Sequence, residues 1–259
     1  MITALNDFTP IDLEELNSEA ELLHRVDRKY LIHEEDVRRF LSVLPEGTRV
    51  LELDQEREFS YLSTYFDTPG LDSYLATAHR RPRRGKVRMR TYESSGDSFL
   101  EVKVRSKPWT TKERIPWEDE LDRDFVDDSL AKGRILLDGE LKPQLLVGYQ
   151  RSTLLLPDST TRVTIDSGLH FELMDGSSSL DLDDIWIVET KTLKQPSTAD
   201  RLLWQLGCRP VSVSKYATGL ALLRPELPNN RWHRLINDLQ PVSEERGREN
   251  SFPLHSRQF

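Results

Sequence analysis

Residues 85–107, GKVRMRTYESSGDSFLEVKVRSK, alternate charged and apolar side chains with a period of two. Because successive side chains of a strand point to opposite faces, two such runs joined by the polar turn at 94–97 predict a β-hairpin with one charged and one apolar face. The charged face of the first run is purely cationic and mostly arginine, whose planar fork suits phosphate oxygens. A solvated face of an ordinary amphipathic hairpin is the alternative interpretation.

Further segments repeat this one-face pattern. An open sheet of seven or eight such strands would leave two exposed edges, whereas a closed sheet removes them. Closure would place the charged faces inside, with amphipathic helices over the apolar outer face, and convergent like charges then require a counter-ligand. The pattern therefore predicts an α+β fold with a β-barrel of basic interior. The repeating segments are RVDRK (Arg25, Asp27, Lys29), TRVTID (Arg162, Thr164, Asp166), IVETK (Ile187, Glu189, Lys191) and the strand that carries Arg151 among leucines.

Composition narrows the classes of function. The chain has 259 residues and a formal net charge of -8, which argues against general nucleic-acid binding and requires any polyanion site to be local and sheltered. No apolar run approaches the roughly 18 residues of a membrane span, and the N-terminus lacks the features of a signal peptide. The single cysteine, Cys208, fits a reducing compartment. We therefore expect a cytoplasmic protein.

Local signals predict the organisation of the chain. We expect an N-terminal helical segment over 1–19, with a helix from Pro10, and a main domain over 20–225. A capping box at Ser197 and Asp200 predicts a helix that ends before Gly207. Residues 226–259 are predicted to form a C-terminal helix and then a disordered tail.

Nine motifs, in order, carry a family resemblance: RVDRKY, STYFDT, KVRMRTY, FLEVK, TKER, GYQR, RVTID, VETK and SKY. With them, about residues 20 to 224 resemble the triphosphate tunnel metalloenzymes, and within these the polyphosphate polymerase domain of the vacuolar transporter chaperone (VTC) type. The resemblance implies an eight-stranded antiparallel tunnel with helices outside, which holds a nucleoside triphosphate and a growing phosphate chain. Many tunnel enzymes carry Glu-x-Glu-x-Lys on the first strand. The basic Arg25 at the first of these positions suits the polymerase branch.

The resemblance and the shared faces together imply the site residues. Glu189 is expected to bind Mn²⁺ or Mg²⁺, which needs only one or two carboxylates beside substrate phosphates. Glu101 is expected to assist with the metal or to orient Lys103. The cations expected to clamp phosphate oxygens in catalysis are Lys29, Arg88, Arg90, Lys103, Arg151, Arg162 and Lys215, with Lys86, Lys112 and Lys191 as further phosphate-binding residues.

The function implied is a metal-dependent polyphosphate polymerase whose partners are ATP and inorganic polyphosphate. Two alternatives stay open on the same residues. A tripolyphosphatase or nucleoside triphosphatase would need a carboxylate such as Asp27 or Asp166 to orient water, although an ion pair with a neighbouring arginine explains either acid equally well. A non-catalytic polyphosphate-binding module would keep the cations and tolerate loss of Glu189. The oligomeric state is left open.

Overall fold

A computed structural model describes residues 2–19, 26–106, 109–193 and 195–239. Arg25 and the predicted tail from Ser243 lie outside these ranges. No helix among the described residues is both long and apolar enough to cross a membrane.

In chain order the elements are a 3-10 helix (Thr3–Asp7), β1 (Thr9–Ile11), α1 (Leu13–Glu19), β2 (Val26–His33), α2 (Glu34–Ser42), β3 (Arg49–Leu51), β4 (Phe59–Asp67), α3 (Asp72–Ala78), β5 (Arg83–Tyr92), β6 (Ser98–Ser106), β7 (Trp109–Pro116), α4 (Arg123–Ala131), β8 (Lys142–Leu155), β9 (Arg162–Leu173), β10 (Ser179–Leu182), β11 (Ile185–Thr192), α5 (Thr198–Gln205), α6 (Lys215–Leu223) and α7 (His233–Leu239).

Eight of the strands form one antiparallel path in the order β2-β11-β9-β8-β4-β5-β6-β7. The short strands β1, β3 and β10 attach to this path at its side, β1 parallel to β3. The prediction of an α+β fold built on an eight-stranded antiparallel sheet is confirmed. The β5–β6 hairpin has the predicted register, with Arg88 opposite Glu101 and Val87 opposite Val102.

The apolar face of the sheet lies outward under helices. Val87, Leu100 and Val102 pack in a buried cluster with Val126 and Leu130 of α4. A second cluster joins the outer faces of β2, β9 and β11 to α2 and α5. Burial of these side chains stabilises the sheet, because it removes apolar surface from water.

The capping box predicted for α5 is present, and its acid also fastens the helix to the sheet. Asp200 accepts hydrogen bonds from the backbone and hydroxyl of Ser197, from the Tyr30 hydroxyl at 2.7 Å and from the Thr190 hydroxyl at 2.6 Å. Asp200 is fully buried. The helix therefore fixes β2 and β11, the two strands that carry Lys29 and Glu189.

The sheet curls so that its two ends approach each other. Lys103, near one end, interacts electrostatically with Asp27 and Lys29 of β2 at the other end. Within the described residues no backbone hydrogen bonds pair β2 with β7. The two ends of the sheet therefore interact through side chains across a gap. The concave face is the interior of the tunnel.

One local expectation is wrong. The helix predicted from Pro10 begins at Leu13, because Thr9–Ile11 pairs instead with β3, a contact that local sequence signals do not contain. The helices pack outside the sheet, as predicted, and α6 also reaches the concave side, where Lys215 donates a hydrogen bond to Asp166. A Cβ at Gly219 would come within 2.4 Å of the Phe171 ring and 3.0 Å of Leu145, so only glycine lets α6 approach the sheet this closely.

Candidate active site

The concave face brings together all of the site residues that the sequence predicts. Strand registers place them in lateral rows, because paired residues of neighbouring strands point the same way. One row runs Lys29, Glu189 and Thr164, and the next runs Leu31, Ile187, Asp166 and Arg151. The other half of the sheet carries the row Tyr65, Arg88, Glu101 and Arg114 and the row Lys86, Lys103 and Lys112.

Asp166 is the most tightly paired acid of this surface. It accepts two parallel hydrogen bonds from Arg151, at 2.6 and 2.8 Å, and a further hydrogen bond from Lys215 of α6. Burial alone would raise the pKa of Asp166, but the charges of Arg151 and Lys215 hold it well below its ordinary value. Asp166 is therefore ionised and fixes the two cations, which supports the ion-pair interpretation rather than a water-orienting role.

Glu101 has a similar role in the other half. Its Oε2 accepts hydrogen bonds from Arg88 at 2.7 and 2.5 Å, and its Oε1 accepts one from Lys112 at 2.5 Å. Burial would raise the pKa of Glu101, yet the neighbouring cations lower it to about 2. Its partners are thus Arg88 and Lys112, rather than the expected Lys103.

Glu189 differs from these two acids in having long ion pairs. Its carboxylate oxygens lie 3.6 Å from Nζ of Lys29 and 3.9 Å from Nζ of Lys191, beyond hydrogen-bond distance. The residue is only 8% exposed. Burial would raise the pKa of Glu189, but Lys29 and Lys191 hold it well below its ordinary value. An ionised, buried carboxylate with loose partners can accept a cation without breaking a short hydrogen bond.

A row of lysines lies beside these pairs. Lys86 is directly opposite Lys103, and Lys112 continues the row on β7. Like charges directly opposite each other destabilise a sheet. Burial, with the charges of Lys29 and Lys103, holds the pKa of Lys86 well below its ordinary value. Only Lys112 of this row forms an ion pair with a described carboxylate, which is Glu101. An anion in the tunnel would relieve this repulsion.

Sequence reasoning missed the aromatic residues that support the cations. Tyr61 and Tyr149 stack with ring centroids 5.4 Å apart, and the guanidinium groups of Arg90 and Arg151 lie 5.2 to 5.8 Å from the two centroids. The Lys215 ammonium is 4.2 Å from the Tyr149 centroid. These contacts hold cations in place without neutralising them. The sequence contained a signal for these contacts, since Tyr149 lies two residues before Arg151 on the same strand.

Arg162 lies opposite Lys191 on the concave face and reaches α1. Its Nη2 donates a hydrogen bond of 2.9 Å to the backbone carbonyl of Leu16 in α1. Leu16 packs in a buried cluster with Phe59 and Leu155. Its role as a phosphate clamp stays a prediction.

The residues present fit a divalent metal at one position. Mg²⁺ and Mn²⁺ prefer oxygen ligands, and Mg²⁺ is commonly held by one or two carboxylates together with substrate phosphates. Glu189 suits this arrangement. Glu101 suits it less well, since both of its oxygens already accept short hydrogen bonds. No group of three or more metal-binding side chains occurs among the described residues, so the substrate would supply the other ligands.

The concave face of the curled antiparallel sheet thus carries many cations and three buried carboxylates, those of Asp166, Glu101 and Glu189. The family model described as the VTC domain matches residues 24–224, most of the chain. The chain belongs to the VTC domain family, as its motifs predict. The comparison with curated proteins gives no match.

Solved structures give a weaker likeness. A proposed adenylate cyclase from Bacillus halodurans is 14% identical with a TM-score of 0.48, over 74% of this chain and 94% of that one. A proposed adenylate cyclase from Vibrio parahaemolyticus is 13% identical with a TM-score of 0.42, over 77% and 99%. A proposed adenylyl cyclase from Hippeastrum, described as having a dominant triphosphatase activity, is 16% identical with a TM-score of 0.40, over 80% and 99%.

Proposed function

We propose that this chain is a polyphosphate polymerase, which transfers the γ-phosphate of ATP to the end of a polyphosphate chain in a reaction that depends on Mn²⁺ or Mg²⁺. The observation that carries the proposal is the lysine row Lys86, Lys103 and Lys112, whose member Lys103 interacts electrostatically with the buried Glu189. Such a row favours the binding of a linear ligand that carries many negative charges along its length. Membership of the VTC domain family supports the same conclusion.

The chemistry requires little covalent work from the protein. A terminal oxygen of the chain, already ionised, forms a bond to the γ-phosphorus, and the bond to the β,γ-bridging oxygen breaks. ADP leaves with that electron pair, and the chain is longer by one phosphate. Catalysis then consists of aligning the two phosphates and neutralising their charge. A divalent ion, when bound at Glu189, supplies further positive charge to the phosphate oxygens.

The paired cations are arranged for this positioning. Asp166 and Glu101 fix Arg151, Lys215 and Arg88 at short distances, so these groups lose little side-chain entropy when phosphate binds. In this proposal they hold the phosphates at the reacting end. The less neutralised Lys86 and Lys103 hold the growing chain.

A triphosphatase on the same scaffold remains the second candidate, because water could replace the chain as nucleophile. Of the two acids expected to orient that water, Asp166 accepts hydrogen bonds from Arg151 and Lys215 instead. Asp27, which is exposed and lies opposite Lys191 across β2 and β11, is the other of these acids. A cytoplasmic location stays our prediction from the single cysteine.

The test is turnover of ATP by the purified protein with Mn²⁺ and, separately, Mg²⁺, with the products resolved by ³¹P NMR. We expect a mid-chain phosphate signal that grows together with ADP. Orthophosphate with ADP and no mid-chain signal would establish the triphosphatase instead. Binding of polyphosphate without turnover under either metal would leave a binding module.

A further inference from the structure

A second group of cations lies outside the set predicted from the sequence. The connection from α3 into β5 reads HRRPRRGK over 79–86 and carries four arginines before Lys86. Arg80, Arg81 and Arg83 are exposed and Arg84 is half-buried. A surface cavity of about 430 Å³ is lined by Arg81, Pro82, Arg83 and Ser106. In a chain of formal net charge -8, this concentration of positive charge needs an explanation.

Register shows that one of these arginines, Arg84, extends the concave surface together with Arg105 of β6. Arg84 lies directly opposite Arg105, and the pair is two residues beyond the pair Lys86 and Lys103 on the same face. Rows two residues apart on a strand are separated by about 7 Å. The cationic surface of the tunnel therefore continues along β5 and β6 into an exposed region.

Arg231, which precedes α7, comes to the same place from elsewhere in the chain. Its Nη1 donates a hydrogen bond of 2.8 Å to the carbonyl of Thr77, and its Nη2 donates one to the hydroxyl of Ser212. Its buried Nε has no hydrogen-bond partner among the described residues. Two residues after Ser212, Ser214 accepts a hydrogen bond from Lys86 of the tunnel. One short segment thus holds a tunnel lysine and an outer arginine side by side.

The outer arginine cluster, defined as Arg80, Arg84, Arg105 and Arg231, is mutually repulsive. Burial and the charges of Arg105 and Arg231 lower the pKa of Arg84 to about 10. Burial, Arg80 and Arg105 likewise lower the pKa of Arg231. In the part of the chain that the structure describes, none of the four forms an ion pair with a carboxylate. A group of cations held this close together favours the binding of a polyanion.

We propose that the outer arginine cluster is a docking site for the stretch of polyphosphate that extends beyond the tunnel, continuous with the row of Lys86 and Lys103. This inference rests on the proposed function, since it assumes a phosphate chain in the tunnel. Each phosphate of a chain carries about one negative charge, so the rows of cations along β5 and β6 can engage phosphates at intervals along the chain. A short ligand such as tripolyphosphate would contact only the residues of the tunnel and not the outer arginine cluster.

The test compares two double variants of the full chain. Arg80→Gln with Arg105→Gln removes two cluster charges without touching the backbone hydrogen bonds of Arg84 and Arg231. The matched control, Arg134→Gln with Arg201→Gln, also removes two exposed arginines, and Arg134 shares the left-handed backbone of Arg80, with φ of 53° and 56°. Dissociation constants for tripolyphosphate and for long-chain polyphosphate are measured over a range of salt concentrations.

For the cluster variant we expect long-chain polyphosphate to bind about tenfold more weakly, with a salt dependence reduced by about two ionic contacts. Its affinity for tripolyphosphate should match that of the control. Equal long-chain affinity in the two variants would overturn the inference and leave the proposed function intact. An equal loss of affinity for heparin would also overturn it, because the cluster would then be an unselective basic patch. Failure of the unaltered protein to bind either phosphate would instead overturn the proposed function.

Discussion

Arg151 and Asp166 face each other across β8 and β9 and form a two-pronged ion pair, with Nε–Oδ1 at 2.6 Å and Nη2–Oδ2 at 2.8 Å. Asp166 is fully buried, and Lys215 of α6 adds a third contact. The pair therefore joins the middle of the sheet to the helix that enters its concave side. It also holds two cations at fixed positions in the tunnel.

Replacement of Asp166 by Asn should destabilise the protein. The change leaves Arg151 and Lys215 close together without their shared acid, and removing one partner of a buried ion pair typically costs about 3–5 kcal/mol. We expect a free energy of unfolding lower by about 3 kcal/mol, measured by chemical denaturation. Asp175→Asn, at an exposed turn, is the control. Equal stability of the two variants would show that Asp166 does not organise this region.

Replacement of Glu189 by Gln should separate turnover from phosphate binding. The amide keeps the size of the side chain but removes the carboxylate that, among the buried acids of the described residues, has only long ion pairs. We expect turnover to fall by at least about 100-fold, since metal stabilisation of the transition state contributes several kcal/mol. Metal-free affinity for tripolyphosphate should be kept or increased, because a negative charge is lost from the tunnel.

The readouts for Glu189→Gln are ATP turnover and calorimetric binding, with exposed Glu118→Gln as the control. Unchanged turnover would contradict the metal assignment of Glu189. A loss of binding as large as the loss of turnover would contradict the separation of roles.

Much of the fold follows from the sequence, because strand periodicity shows directly which side chains share a face. The alternation in 85–107 places Arg88 and Val87 on opposite sides, and both lie as predicted. The pairing of charges is harder to predict. Glu101 contacts Arg88 and Lys112 because of the register of three strands. Such a register depends on packing across the whole sheet rather than on a local pattern.

The position of α6 shows a second limit of the sequence. Its sequence, KYATGLALL, predicts a helix but not the side of the sheet on which it lies. That side is determined by the close approach at Gly219 and by the bond from Lys215 to Asp166. Both depend on residues about 50 positions earlier in the chain. The contact between Lys215 and Asp166 thus follows from tertiary structure, whereas the role of Lys215 in the site stays a prediction from the family resemblance.

Gly219→Ala should disturb this approach. The added methyl group would overlap the Phe171 ring, whose nearest atom is 2.4 Å from the ideal Cβ position. Overpacking typically costs about 1–3 kcal/mol, which exceeds the roughly 1 kcal/mol that alanine contributes to helix propensity. We expect a lower unfolding midpoint and weaker tripolyphosphate binding. The double variant Gly219→Ala with Phe171→Leu should recover much of the unfolding midpoint and of the tripolyphosphate affinity. No recovery in the double variant would show that the overlap with Phe171 does not cause the losses.

The binding of phosphate should depend on pH near 8. Burial, only partly offset by Asp166, lowers the pKa of Lys215 to about 8 in the free protein. As the pH rises through this value, Lys215 loses its charge and affinity for tripolyphosphate falls. A bound polyanion favours the charged form, so binding near pH 8 should take up protons.

Proton uptake is measured by calorimetry near pH 8 in buffers of different ionisation enthalpy. The Lys215→Gln variant should bind more weakly below pH 8 and take up fewer protons on binding. The same proton uptake in Lys215→Gln as in the unaltered protein would show that another group titrates.

The most direct test of the central claim is to follow the γ-phosphate of ATP when a short polyphosphate primer is present. Radiolabelled ATP and primer are mixed with excess protein and Mn²⁺, and the products are separated after a single turnover. We predict that the label appears at the end of the primer, in an amount equal to the ADP formed. Label found only in orthophosphate would show that water is the nucleophile, and the chain would then be a triphosphatase.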